Sequence, residues 1–315
     1  MAGGTAVSAL SDRADDYLQL RRCLGHDLDE AHRLLPRLVA YLDAVDAPTV
    51  TIETALAWAQ QTNADPASSS WPRRMTIARG FARHMASLDA RTEIPPVGLL
   101  PSRQRWRPPF IYSPADIAAL MAQARAIRYP FAAVTHETLL GLLAVTGMRV
   151  GEAIRLDRAD IDWVDGVLLI RQSKFGKTRQ IPVHASTLAA LDGYAKLRDR
   201  TRPKPATPSF FVSLRGTRVS YPVVQQIFRV LCETADVGLE SDIRPRIHDF
   251  RHTFAVRTLL DWYRAGDNVE LRLPSLSTYL GHRDPRSTYW YLSAAPELLA
   301  LAAGRLELSR GVIVK

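Results

Sequence analysis

From about Leu10 to Leu88 the apolar residues recur at helical spacing, through Leu28, Leu35 and Leu38 to Leu42, then Ile52 to Trp58, then Met75 to Leu88. That period predicts four or five helices and no strand in this part of the chain. Helix starts are expected at Asp27 and Thr51, where a side-chain oxygen can accept from the first turn and an acidic residue follows. NADPASSSWP, residues 63–72, breaks the period as a loop. The helical pattern resumes in SPADIAALMAQARA, with Ser113 as cap and Asp116 three residues on, a variant of the capping box. Further helices are expected over 135–145, 223–235, 248–263, 276–280 and 288–306. Residues 167–171 and 179–183 are instead β-rich and flank SKFGKT, which predicts a small hairpin, with 210–213 as a candidate third strand. The fold class expected is mainly α (α+β), with no internal repeat.

At 315 residues the chain exceeds the usual single domain, so two are expected. Residues 1–92 form a helical domain whose last helix carries Arg73, Arg74, Arg79 and Arg83. These arginines are either a DNA-facing surface or a solvated helix face. Residues 93–112 form a linker in which Pro95, Pro96, Pro101, Pro108 and Pro109 alternate with Arg103, Arg105 and Arg107. Prolines keep such a segment extended, and the arginines can meet phosphates. Residues 113–315 form the second domain.

The formal charge of +9 suits a partner made of phosphates, although an anionic membrane or a ribosomal surface would fit it equally. Cys23 and Cys232, the 2 cysteines, are far apart and in no metal-binding spacing, so neither a disulfide framework nor a zinc site is indicated. No apolar run reaches the ~20 residues of a membrane span, and the N-terminus lacks the pattern of a secretory signal. A reduced, cytoplasmic setting is the expectation.

Candidate chemistry lies in TGMRVGEA around Arg149, SKFGKTRQIPV around Lys174, HDFRHTFA from His248, and YLGHRDPRSTYWYL from Tyr279. Arginine offers a permanent charge on a planar fork that grips two oxygens at once, suited to a phosphate in its transition state. His248 and Arg251, three apart, share one helix face and can address one phosphate. Glu152 lies one turn beyond Arg149 on the same face. The i, i+4 pair His248 and His252 lacks the acidic pattern of a metalloprotease, and Arg251 beside it would repel a cation, so no metal is expected.

Together these segments resemble the catalytic domain of the tyrosine recombinase (phage integrase) family, over roughly residues 113–300. The resemblance implies a helical, SAM-like core-binding domain followed by a mixed α/β catalytic domain. It implies DNA cleavage without a cofactor, through a phosphotyrosine intermediate. Arg149 and Arg251 become the phosphate forks, and Glu152 a structural buttress. His248 hydrogen-bonds a phosphate oxygen and takes the tyrosine proton, and His282 supports the same phosphate. Lys174 becomes the acid that protonates the leaving 5′ oxygen, with Lys177 as its competitor. Lys177 and Arg179 also join the arginines above as candidate DNA contacts. In the family the nucleophile lies nine residues after this second histidine, which is Tyr291, with Tyr289 and Tyr279 as decoys.

The partners implied are double-stranded DNA recombination sites, a homo-tetramer assembled on them, and an accessory or directionality factor. The apolar segment 293–307 could dock on a neighbouring protomer or cap its own domain. The chain starts close to its first helix, which disfavours a separate N-terminal arm-binding domain. Integration, excision or transposition of a bacterial mobile element is the expected role. Xer-like multimer resolution, type IB topoisomerase-like relaxation and a non-cutting DNA-binding regulator are the alternatives.

Overall fold

A computed structural model describes residues 9–26, 28–61, 70–100, 108–171, 178–282, 284, 286–294 and 297–298. The chain divides into two compact units, 1–106 and 107–315. Among the described residues no helix is long and apolar enough to cross a membrane.

The first unit contains α1 (Ala9–Cys23), α2 (Asp29–Ala44), α3 (Ile52–Gln60) and α4 (Ser70–Met85), with no strand among the described residues. Its core is the helical stripe of the sequence: Leu35, Leu38, Leu42, Trp58 and Phe81 are all fully buried. Thr51 caps α3 as expected, its hydroxyl accepting from the Thr54 N–H at 3.1 Å. The expected cap Asp27 lies outside the described residues, and α2 runs from Asp29 through an internal Pro36. After α4 the chain folds back: Ile52 N–H donates to the Glu93 carboxylate (2.8 Å), and Glu93 N–H donates to Val50 O (2.9 Å).

The second unit is mainly helical around one small sheet, as its sequence pattern predicts. It contains α5 (Pro114–Arg125), α6 (Pro130–Thr146), α7 (Val150–Arg155), β1 (Ile161–Asp162), β2 (Val167–Ile170) and β3 (Arg179–Pro182). These are followed by α8 (Ala185–Thr201), α9 (Tyr221–Thr234), α10 (Asp249–Arg264), α11 (Val269–Leu280) and α12 (Arg286–Ala294). Ser113 and Asp116 form the expected capping box of α5. The expected hairpin is β2–β3, in antiparallel register with Leu168 opposite Ile181.

Two expectations about this unit are corrected. The third strand is β1, pairing with the far edge of β2, whereas Phe210, Phe211 and Val212 are core residues that make only an isolated bridge from Val212 to Arg218. Helix α8 went unpredicted: Gly193 interrupts it and its second half is dominated by charged residues. The two hydrophobic clusters of this unit meet along α10: Phe250 belongs to one, and Ala255, Val256 and Leu259 to the other. The helix that begins beside His248 is thus gripped from two sides.

Candidate active site

Helix α6 ends at Gly147 in the left-handed region (φ 58°), and a Cβ there would lie 2.6 Å from the Phe254 ring. Only glycine satisfies both the backbone and the space. The reversal puts Arg149 at the N-cap of α7, where its N–H and its guanidinium both donate to Glu152 (2.9 and 2.8 Å). Arg179, entering from β3, donates to both oxygens of the same carboxylate (3.0 and 2.7 Å). Glu152 is thus a buried carboxylate between two guanidinium groups, its side chain 1% exposed. Burial raises its pKa, but the bonds and charges of Arg179 and Arg149 outweigh that and hold it at about 2.

The C-terminus of α11 supplies the other half of the cradle. Gly281 is left-handed (φ 68°); its N–H bonds to Thr278 O and the His282 N–H to Ser277 O, the paired closure of a Schellman cap. That cap leaves three consecutive carbonyls turned toward the arginines. Tyr279 O accepts from Arg179 Nε (2.9 Å), Leu280 O from Arg251 Nη2 (2.6 Å) and Gly281 O from Arg149 Nη2 (3.3 Å). Carbonyls at a helix C-terminus have no partner within the helix and carry the negative end of its dipole, so they suit cations. Arg251 also donates to Gly147 O (3.1 Å), tying the two left-handed turns together.

Among the described residues, three guanidinium groups, Arg149, Arg179 and Arg251, face the Glu152 carboxylate, an excess of two positive charges over that one anion. The crowding is visible in Arg251, 2% exposed, whose pKa is lowered to about 10 by burial and then by Arg149. An anion entering beside it would relieve that repulsion.

Around the arginines stand three imidazoles and one phenol. His248 caps the start of α10. His282 follows Gly281, and its Nδ1 pairs with the Thr288 hydroxyl at 2.7 Å. The enclosing protein and then the arginines, with Arg251 first, depress both histidines to about 4, so both are neutral near pH 7. Tyr291 is 2% exposed, with its ring 6.0 Å from that of His282 and 5.5 Å from that of His252. Burial raises the pKa of its phenol, opposed by the charge and side-chain hydrogen bond of Arg251. Of the competing tyrosines, Tyr289 is half exposed, and Tyr279 stacks on Phe254 and offers Arg179 only its backbone carbonyl.

The phage integrase family profile matches residues 112–297, which takes in every element that builds this cradle. The chain belongs to the phage integrase family of tyrosine recombinases. It is 42% identical over 309 residues to the integrase/recombinase y4rB of Sinorhizobium fredii, covering 96% of this chain and 98% of that one. A second protein of that organism, y4rE, is 37% identical over 96% of this chain and 97% of its own length. Its fold is similar to that of a Tn1549 transposon integrase in complex with transposon right end DNA, with a TM-score of 0.64 at 17% identity over 95% of this chain and 98% of that one. It is likewise similar in fold to XerH recombinase in a post-cleavage complex, with a TM-score of 0.60 at 16% identity over 82% and 73%. This recombinase therefore breaks and rejoins DNA strands at specific sites.

The structure brings Arg149, His248, Arg251, His282 and Tyr291 to one place, with Glu152 beneath them. Lys174 and Lys177 lie outside the described residues, as do Arg103, Arg105 and Arg107. The expected DNA contact Arg179 instead lies beneath the cradle, its side chain 10% exposed and held by Glu152 and Tyr279 O. Arg74, expected on the surface of α4, lies 4.0 Å over the Trp58 ring and donates to Trp58 O, 7% exposed. Arg79 holds the carbonyls of Pro95 and Pro96 (2.7 and 2.8 Å). Arg73 and Arg83 do face solvent, Arg73 alongside Glu30 at 3.4 Å.

Sequence reasoning missed Thr288, although it sits three residues before Tyr291 and so on the same helix face. A groove of about 980 Å³ runs from Gln225, Gln226 and Arg229 on α9, past Arg244 and Arg246, to His248.

Proposed function

We propose that Tyr291 is the nucleophile and that Arg149, Arg251, His248 and His282 hold the scissile phosphate. The reading rests chiefly on one observation: the buried Tyr291 phenol lies against Arg251 in a cradle whose described guanidinium groups exceed the Glu152 carboxylate by two positive charges. Phenol oxygen attacks phosphorus, the P–O5′ bond breaks, and a 3′-phosphotyrosine conserves the energy of the phosphodiester. His248, kept neutral by its surroundings, takes the phenol proton. Lys174 gives a proton to the leaving 5′ oxygen. Attack by a 5′ hydroxyl from a partner strand reverses these steps and yields a Holliday junction, which calls for a tetramer on two duplexes. The arginine forks stabilise the charge that builds on the non-bridging oxygens.

The DNA partner is a pair of recombination sites, and the α9 groove is where base edges and phosphates near the cut would be met. The first unit serves as the core-binding domain, with Arg73 and Arg83 as its exposed basic contacts. The full-length likeness to an integrase/recombinase and the fold likeness to a transposon integrase favour integration or transposition of a mobile element over multimer resolution.

The test is to trap the full chain with SDS on duplex from the DNA flanking its gene and to map the nucleotide-bearing residue by mass spectrometry. A 3′-phosphate adduct on Tyr291, retained in Tyr289→Phe and lost in Tyr291→Phe, is the expected result. An adduct on Tyr289 moves the nucleophile, and no adduct on DNA that the protein binds specifically overturns the reading.

A further inference from the structure

We infer that Asp249, Thr253 and Arg257 form a positioning ladder that docks the extended segment 110–112 along α10 and so sets where His248 and Arg251 stand. The three residues are spaced four apart, which puts them on one stripe of the helix. The Phe110 N–H donates to Asp249 Oδ2 (3.4 Å), the Tyr112 N–H donates to Thr253 Oγ1 (3.0 Å), and Arg257 donates to Tyr112 O (2.9 Å). The Tyr112 hydroxyl donates to Arg246 O (2.9 Å), and its ring stacks on Phe250 with centroids 4.6 Å apart.

The geometry explains why a helix can take the place of a neighbouring strand. One turn-and-a-bit of helix, four residues, rises about 6 Å, and two residues of extended chain span about 6.6 Å. Alternate N–H groups of the extended segment therefore meet side-chain oxygens on successive turns. Pro108 and Pro109 precede the segment and bring no N–H of their own to satisfy.

Asp249, Thr253 and Tyr112 are all essentially inaccessible to solvent, so a lost partner is not replaced by water. His248 and Arg251 flank Asp249 at the same end of α10. A roll of the helix that broke the ladder would carry both away from the phosphate. Misplacement by about 1 Å can cost on the order of a hundredfold in rate.

The inference rests on the site proposed above, and its test compares full-length chains on a nicked duplex from the DNA flanking the gene. Thr253→Val keeps the shape and removes the acceptor, whereas Thr253→Ser keeps the hydroxyl. The expected result is covalent-complex formation about tenfold slower in Thr253→Val, with DNA affinity within about twofold of the parent and recovery in Thr253→Ser. Arg257→Met, which removes the bond to Tyr112 O at a partly exposed position, should slow the step about threefold. It supplies the answer if Thr253→Val fails to fold.

Equal rates in all four chains overturn the ladder alone. A loss that tracks DNA affinity, or that serine does not restore, overturns it as well. A parent chain that binds this DNA without forming a Tyr291 adduct overturns both the ladder and the proposed site.

Discussion

Arg74 in the first unit and Arg251 in the second are both buried arginines that donate to backbone carbonyls, yet their surroundings prepare them for opposite fates. Arg74 has one ring, Trp58, under its guanidinium and that residue's carbonyl at its edge; burial lowers its pKa, and Arg37 adds to the effect. Arg251 shares its carbonyl cluster with Arg149 and Arg179, and the Glu152 carboxylate is already spanned by those two. Both side chains are buried, Arg251 the more deeply, and the company differs as well. What sets Arg251 apart is two guanidinium neighbours that already share one carboxylate, where Arg74 has Arg37 alone.

The sharpest way to break this comparison is Arg251→Lys, which keeps the charge and loses the fork. Covalent-complex formation should fall about a thousandfold, whereas Arg74→Lys should leave it within about twofold when normalised to folded protein. Equal effects at the two positions would abolish the distinction. Next in size is Glu152→Gln, which strands two arginines beside a neutral amide and should cost about 3 kcal/mol in denaturant unfolding.

The pH dependence sharpens that result. Glu152 titrates near 2 in the folded chain against an ordinary 4.5, so its contribution is complete above 4.5 and is lost as pH falls toward 2. The Gln variant should lack that part of the acid destabilisation. His248 and His282, depressed to about 4 from 6.5, act in the same direction at higher pH. The unfolded chain takes up their protons first, so stability declines as pH drops from 6.5 to 4 in both proteins.

Smaller still, Arg74→Met should lower stability by about 2 kcal/mol, with the salt dependence of DNA binding unchanged. Arg83→Ala, at an exposed position on the same helix, should leave the melting temperature alone and reduce the salt slope by about 0.9. An Arg74→Met variant that altered the salt slope would return that residue to the DNA-facing surface.

Much of this architecture was legible beforehand. The helical stripes of α2, α3 and α4, the β2–β3 hairpin and the spacing of His248 and Arg251 all follow from local periodicity, which the structure leaves intact. What stayed hidden has a shared cause. Arg74 looks like a surface cation in sequence because its acceptor is the Trp58 carbonyl, which carries no residue-type signal, and Arg179 because its acceptors, Glu152 and the Tyr279 carbonyl, lie far away along the chain. Residues 210–213 read as a strand because a core segment and a buried strand use the same apolar residues. Helix α11 was shortened in prediction by Pro274, which the structure keeps inside the helix.

The three carbonyls at the end of α11 also set a timetable. Arg149, Arg179 and Arg251 are synthesised before residues 279–281, the groups that gather them. A nascent chain emerging from the ribosome therefore carries its cations without their common anchor, and Tyr291 arrives later still. The arginine cradle cannot close in any fragment that stops short of the Gly281 cap.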